Sequence, residues 1–502
     1  MVFVGYPRPS KALLAAGLAG LLLGAAPAMA QDGDVQTKQY DTGGIYTGEF
    51  KDGKQHGKGK YTLPNGYEYD GDWVEGRIEG QGVARFPNGS VYTGAFVNGK
   101  PEGKGSIVFA DGGTYEGDWK DGRIEGTGVA VYANGVRYEG QFLNAVHHGT
   151  GTMISDNGYR YEGTWNNGVK DGSGKITYPD GAIYEGGIVE GVREGTGTLT
   201  MPDGLTYTGE WRGGQINGKG ALVQANGDKY DGELANGQRQ GQGTATYASG
   251  DVYVGSFVAD QRQGKGVFTG ADGYKYDGDW VEGRIEGTGT VNYPDGSVYT
   301  GQFKNGVADG TGKITYADGS SYEGAWVNGV IEGTGIARYE NGLVYEGEFR
   351  NARNHGNGTM TYADGFKYTG EWKDGLRHGK GVATYADGTV YDGEFVDGQR
   401  QGTGTIRMQD GFQYEGAWVN GEIDGEGVAI YPNGDRYEGF FSKGQRQGQG
   451  KMIYASGEVY EGVWENGRQA DAGAEPASGT ADPATTTDAS SSGAAAPAST
   501  SN

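Results

Sequence analysis

The chain of 502 residues contains no cysteine. Disulfide staples, thiol nucleophiles, CxxC redox pairs and a lipid-bearing cysteine are therefore excluded, and stability rests on packing and hydrogen bonds. Hydrophobic residues are scarce at 35%, poor material for the thick cores of a multidomain enzyme. Positive charge is also short: 42 Lys and Arg stand against 65 Asp and Glu, for a formal charge of -23. With no basic cluster to displace counterions from phosphates, nucleic acid is not an expected partner. Long apolar runs are absent apart from Leu13 to Ala26, shorter than the roughly 20 residues of a spanning helix. With Arg8 and Lys11 before it and Ala28-Met29-Ala30 behind it, that run reads as residues 1–30 of an export signal cleaved before Gln31. Its loss takes the formal charge from -23 to -25.

What the chain has in abundance is glycine, 103 residues, with an aromatic content of 12%. That many rings argues against a disordered linker, so the glycines sit among packing residues. From Tyr46 a 23-residue unit runs through Val459 in eighteen copies without insertion or deletion, and Tyr460 opens a truncated nineteenth. Self-similarity of this kind marks a repeat architecture. Glycine occupies unit positions 3, 12, 14 and 21 in all eighteen copies, and position 16 is apolar throughout. Position 5 alternates Phe and Trp, as in Phe50, Trp73, Phe96 and Trp119, and holds all nine tryptophans. The alternation slips once, where Leu234 precedes Phe257. The stretch YDGDWVEGRIEG at Tyr69 recurs verbatim at Tyr276, 207 residues on, and 207 is nine units. A nine-unit block has been copied in tandem.

Each unit reads as a pair of strands. Asn-Gly or Asp-Gly at positions 7 and 8 (Asp52-Gly53, Asn98-Gly99, Asn305-Gly306) is a strong two-residue hairpin signal, because both residues tolerate positive φ. Such a turn sets Tyr276 opposite Gly289, Gly278 opposite Gly287 and Trp280 opposite Ile285, with rings covering bare backbone. An odd repeat would turn its aromatic face over at every unit unless one residue is absorbed. Positions 19 to 21, as in Pro294-Asp295-Gly296, suit a three-residue loop that absorbs it, and place the next tyrosine opposite position 16. The expected fold class is all-β, an elongated single-layer antiparallel β-hairpin repeat array with about two strands per unit, each touching only its neighbours. Residues 31–45 supply a leading cap from Gln39 to Ile45, residues 46–469 the array closed by Trp464, and residues 470–502, rich in Ala, Ser, Thr and Pro, a disordered tail.

Units such as YEGEFRNARNHGNGTMTYADGFK and YTGEWKDGLRHGKGVATYADGTV resemble MORN repeats (membrane occupation and recognition nexus). The resemblance implies hairpin arrays that act as scaffolds, dimerise, bind peptides or helices in a groove and, in some members, associate with anionic phospholipid. Acidic residues at positions 9 to 11, such as Glu79, Glu102, Glu125 and Glu286, depart from the basic members.

A one-layer sheet has no second layer to bury its apolar side, and a long apolar face marks a partner surface. The expected partner-binding rings are Trp73, Trp119, Trp165, Trp211, Trp280, Trp326, Trp372 and Trp418, with Tyr276 and Tyr322. All five histidines, His56, His147, His148, His355 and His378, fall at positions 10 or 11. Neighbours such as His147 and His148 point to opposite faces of a strand, so no metal site and no triad is expected. The same register opposes Asp72 to Glu79, Asp118 to Glu125 and Asp279 to Glu286. Two carboxylates on an open sheet make an incomplete calcium shell and lack the unlike environments of glycosidase acids. Gly-x-Gly runs such as Gly57-Lys58-Gly59 precede no helix and offer no phosphate cradle. The expectation is a non-enzymatic, exported scaffold or adaptor, periplasmic, secreted or outer-membrane-associated, needing no cofactor and meeting a protein partner or a second copy as a homodimer. The alternative is a cell-envelope binder whose rings stack on glycan or lie against lipid.

Overall fold

The computed structural model of the protein describes residues 35–470. The export segment, and the tail beyond Ala470, lie outside the described residues. The chain falls into two units divided between Arg239 and Gln240. In each, seven-residue strands alternate with nine-residue strands in an open antiparallel meander, and no helix occurs among the described residues. The strand Lys275–Val281 turns into Arg284–Asn292, which turns into Val298–Lys304.

Both connections follow from local chemistry. At the tight turn, Glu282 and Gly283 have φ of 49° and 81°, the left-handed pair whose twist matches the flanking strands. At the three-residue loop, Tyr293 N–H donates to Ser297 O at 2.8 Å and Gly296 N–H to Tyr293 O at 3.0 Å. Gly296 sits at φ 89°, and the Asp295 carboxylate accepts from Ser297 N–H at 2.8 Å. This loop absorbs the odd residue, so successive tyrosines share one side of the sheet.

The register within a hairpin differs from the one expected. Trp280 does oppose Ile285, but Gly278 opposes Gly289 and Tyr276 opposes Val291. Between these pairs Asp279 alone spans Glu286, Gly287 and Thr288. The bulge is made by Gly287, whose φ of 69° is open to glycine at little cost. Two extra residues keep the alternation of side chains intact, so the bulge leaves no trace in the period-two pattern. Across the loop the register is the expected one, with Val291 opposite Tyr299. Position 16 is thus flanked by a tyrosine on each side.

Hairpin tips after the first are also bonded to the unit before them. Gly306 N–H donates to Ile285 O at 2.9 Å, and Asn305 N–H to the Glu286 carboxylate at 3.0 Å. The leading cap begins earlier than expected, as a strand Gln36–Gln39 paired with Ile45–Lys51.

Three tips carry a side chain at the second turn position and still adopt the left-handed conformation: Ala145 at φ 65°, Asp260 at 69° and Ala352 at 59°. Ala352→Gly should therefore stabilise its hairpin by about 1 kcal/mol. Gly289→Ala should destabilise by about 1–3 kcal/mol, because a Cβ there would come within 2.5 Å of the Tyr276 ring. Local hydrogen exchange with urea melts of the full chain reads both; opposite signs would refute the packing described.

Candidate partner-binding surface

The site is built from position 1 upward. The Tyr276 side chain leaves its strand and lies diagonally over Gly289 of the partner strand. Its hydroxyl donates to Asp279 O at 2.9 Å. The same bond recurs from Tyr69 to Asp72 O at 3.0 Å and from Tyr322 to Ala325 O at 3.0 Å. Where both neighbouring units carry a ring at position 5, the tyrosine between them meets two such rings edge to face. Tyr276 lies 5.4 Å from Trp280 and 5.3 Å from Phe303, and Tyr299 lies 5.1 Å from Phe303 and 5.3 Å from Trp326. Such T-shaped pairs set the positive edge of one ring against the negative face of the next. The result is a zipper of rings within each unit, interrupted where position 5 is Ile188 or Leu234. Tryptophan adds a bond that phenylalanine lacks: Trp280 Nε1–H donates to Gly266 O at 3.1 Å, and Trp326 to Gly312 O at 3.2 Å.

This zipper is interior, which corrects the expectation of an exposed stripe. Trp73, Trp119, Trp165, Trp211, Trp280, Trp326, Trp372, Trp418, Tyr276 and Tyr322 are all at most 5% exposed. They are covered by their own chain. Position 10 of one unit reaches over the rings and meets position 18 or 22 of the unit before it. The Arg262 guanidinium sits 4.2 Å above the Trp280 ring, and Arg400 sits 4.6 Å above Trp418, close enough for cation–π attraction. Arg446 lies between Trp464 at 4.6 Å and Tyr431 at 5.3 Å. His147 stacks on Tyr138 at 3.7 Å, and its Nε2 lies 2.6 Å from the Tyr132 hydroxyl. Elsewhere the cover is aliphatic, as with the buried Ile78, Ile124, Ile331 and Ile423. Sequence reasoning missed this lid. The signal available was that position 10 is occupied mostly by Ile or Arg, with His147 and Lys170 among the rest, while position 9 beside it stays on the tip.

Burial sets the electrostatics. It drives the His147 imidazolium down to about 4, so the ring is neutral near pH 7. It lowers the Lys170 ammonium to about 8, where that group lies 4.4 Å from the Tyr159 ring. It raises the hydroxyls of Tyr46, Tyr161, Tyr184 and Tyr253 to about 12, and pushes Tyr276 up as well.

The carboxylate pairs expected from the simple hairpin are not pairs. The bulge carries Asp279 to the Thr288 N–H at 2.9 Å and the Lys265 ammonium at 2.7 Å, while Glu286 faces the next tip. Likewise Asp72 accepts from Gln81 N–H at 2.8 Å and Glu79 from Asn98 N–H at 2.8 Å. Asp118 accepts from Thr127 N–H at 2.8 Å and Glu125 from Asn144 N–H at 2.9 Å. The bonded lysines hold Asp72, Asp118 and Asp279 below the ordinary carboxylate range. Among the described residues no three His, Asp or Glu side chains converge as a metal site. These acids bond the backbone of the bulge and the tip.

Against known proteins, the MORN repeat family model matches eighteen segments between residues 46 and 459. A search of curated proteins found no match. Among solved structures, the TCP domain of Drosophila melanogaster SAS-4 in complex with a proline-rich motif of Ana2 is similar at 14% identity, over 40% of this chain and 90% of that one, with a TM-score of 0.20. The TCP10 domain of Danio rerio CPAP is similar at 14% identity over 44% of this chain and 93% of that one, TM-score 0.19. A streptogramin B lyase matches at 12% identity over 60% and 92%, TM-score 0.11. Likenesses at these scores carry no inference about what this chain binds.

Two measurements check the zipper. Phenols whose neutral form is favoured in the fold stabilise it fully below the free value of about 10, and that contribution is lost as pH rises through the folded value, about 12 for Tyr46 and Tyr253. The 295 nm phenolate band should therefore lag behind that of free tyrosine and rise together with loss of β-structure in circular dichroism; ionisation near the free value with the fold intact would contradict the burial. Trp280→Phe keeps the ring contacts but loses the bond to Gly266 O, and should cost about 1 kcal/mol in local hydrogen exchange.

Proposed function

The chain belongs to the MORN-repeat family, and on that premise we propose that it is an exported, non-catalytic scaffold whose ring-side lid presents docking positions to other proteins. The observation that carries this reading is a division of labour along the unit. Tyr at position 1 and Gly at positions 3, 12 and 14 recur because they make the zipper and the bulge. The residues laid over the zipper change from unit to unit: Gln55, Ile78, His147, Lys170, Arg193 and Asn354 all occupy position 10. A constant frame with a varied outer layer suits selective contacts with partners along its length. Large rings beneath, with Arg and Tyr at the surface of the lid, are the side-chain types that anchor protein interfaces.

The non-catalytic part of the proposal is supported by the fate of the acids. Asp279 bonds a backbone N–H of the bulge and Glu286 one of the following unit's tip, and copies of this arrangement repeat along the sheet. General acid–base work instead needs two groups held in unlike environments within reach of one substrate. Export rests on Arg8, Lys11, Leu13 to Ala26 and Ala28-Met29-Ala30, and the periplasm is the proposed location.

A photo-cross-linkable residue in place of Tyr132, which is 37% exposed, or of Arg262, introduced into the full chain in its own cells, tests the reading. The expected product is a discrete second protein, captured at one or a few lid positions. Cross-links only to lipid or glycan would overturn it in favour of envelope binding. Fractionation and mass spectrometry test export, with a mature N-terminus expected at Gln31 in the periplasmic fraction; an intact Met1 in the cytoplasm would overturn that part.

A further inference from the structure

The last long strand, Val459–Glu465, carries the residues of an inner first strand: Tyr460, Gly462 and Trp464. Its inner edge pairs with Gln445–Ile453 over the full register. Among the described residues, its outer edge pairs only through Trp464 with Gln469 and Glu465 with Arg468, followed by Ala470 N–H donating to Val463 O at 2.9 Å. In the preceding unit the equivalent strand, Arg436–Ser442, is paired from Arg436 to Ser442 by the nine-residue strand after it.

The difference is felt in the side chains. Tyr437 is 0% exposed, and its hydroxyl donates to Phe440 O at 3.2 Å. Tyr460 is only half-buried, its hydroxyl oxygen is buried with no hydrogen-bond partner, and Val459 beside it is 53% exposed. A flat, partly apolar edge with open backbone groups is a template for another strand.

We infer that the edge Val459–Val463 is a β-augmentation site for an extended segment of a different protein carrying the pattern Gly-x-aliphatic. The inner hairpins specify that chemistry. Gly450 opposes Gly439, and a Cβ at Gly450 would come within 2.5 Å of the Tyr437 ring, so the residue opposite Gly462 must be glycine for the Tyr460 ring to lie down. In most inner hairpins the residue facing the tyrosine is aliphatic, as with Met452 opposite Tyr437 and Val291 opposite Tyr276, so an aliphatic residue suits the place opposite Tyr460. Backbone bonds would supply affinity, and the glycine and aliphatic positions the choice of sequence.

Two nearer occupants fit poorly. In phase with the repeat, the chain's own continuation offers Gly473 at the required glycine position, but it places Asp471 where the bulge glycine belongs and Glu475 where the aliphatic residue belongs, followed by Pro476, which has no N–H to give. A second copy could offer its leading strand Gln36–Gln39. There Gln36 opposes Gly48 and Lys38 opposes Tyr46, so in a head-to-tail junction Gln36 would fall under the Tyr460 ring and Lys38 opposite it. This edge is separate from the ring-side lid, and the inference stands whether or not the lid binds a partner.

The probe is a synthetic hexapeptide with the sequence of Gly448–Ile453, GQGKMI, added to the full chain, beside a twin in which the glycine equivalent to Gly450 is valine. Hydrogen exchange at residues 459–463 should slow about fivefold or more with the first peptide, without change at residues 36–39, and the twin should bind about tenfold or more weakly by calorimetry. In the chain itself, Gly462→Val should abolish peptide binding while circular dichroism and exchange through Gly450 stay as in the parent. Equal binding of both peptides, or protection elsewhere, would overturn the proposal. So would edge amides already protected in the free chain and released on removing residues 471–502, which would make the tail the occupant, or protected only in chain oligomers, which would make it a second copy. None of these outcomes alters cross-linking at Tyr132, so this test and that of the lid fail independently.

Discussion

A tyrosine ring lying flat on bare backbone is the contact on which the rest of this protein depends. At Tyr276 the ring occupies the volume that a Cβ on Gly289 would need, so glycine at position 14 is the surface on which the ring packs. Glycine in a strand costs conformational entropy and packs nothing of its own. The ring offsets that cost, and Tyr276 then locks two position-5 rings edge to face. A chain with 35% hydrophobic residues obtains a buried spine without a second sheet, because residues of one unit cover the rings of the next.

The acidic residues belong to the same construction. A hairpin that bends around a ring needs a bulge, and the bulge turns N–H groups such as those of Thr288 and Gln81 away from any strand partner. Asp279 and Asp72 accept those bonds. Glu286 and Glu79 do the same for the tips of the following units. Negative charge is therefore spread along the chain at places where backbone donors need acceptors, and much of the net charge of -23 is explained without an acidic ligand site. Where a tip lacks glycine, as at Ala352, the left-handed φ persists, because the bonds from neighbouring units hold it there.

What varies is what lies outermost. The lid over the zipper changes from isoleucine to arginine to histidine, and each choice answers a local partner: His147 bonds Tyr132, Arg446 spans Tyr431 and Trp464. The same economy leaves the last strand with a half-buried tyrosine and a bare glycine. A repeat that binds its own neighbour so specifically carries, at its end, the pattern of what it would accept next.

The eighteen-fold period, the tight turn at Asp52-Gly53, the loop at Pro294-Asp295-Gly296 and the rule that rings cover glycines were all legible in the sequence, because each depends on residues close in the chain or on φ values that few residues tolerate. The placement of Tyr276 against Val291 was not legible. A bulge that adds two residues preserves side-chain alternation, and its only mark was an invariant glycine at position 12 that a regular strand would explain equally well. Nor could sequence decide whether the rings faced solvent. Which residues strands and turns require is set by local sterics, and the sequence alone determined it; whether Trp280 is covered depends on how far Arg262 of the preceding unit reaches across the bend of the sheet, and that distance exists only once the hairpins have folded against each other.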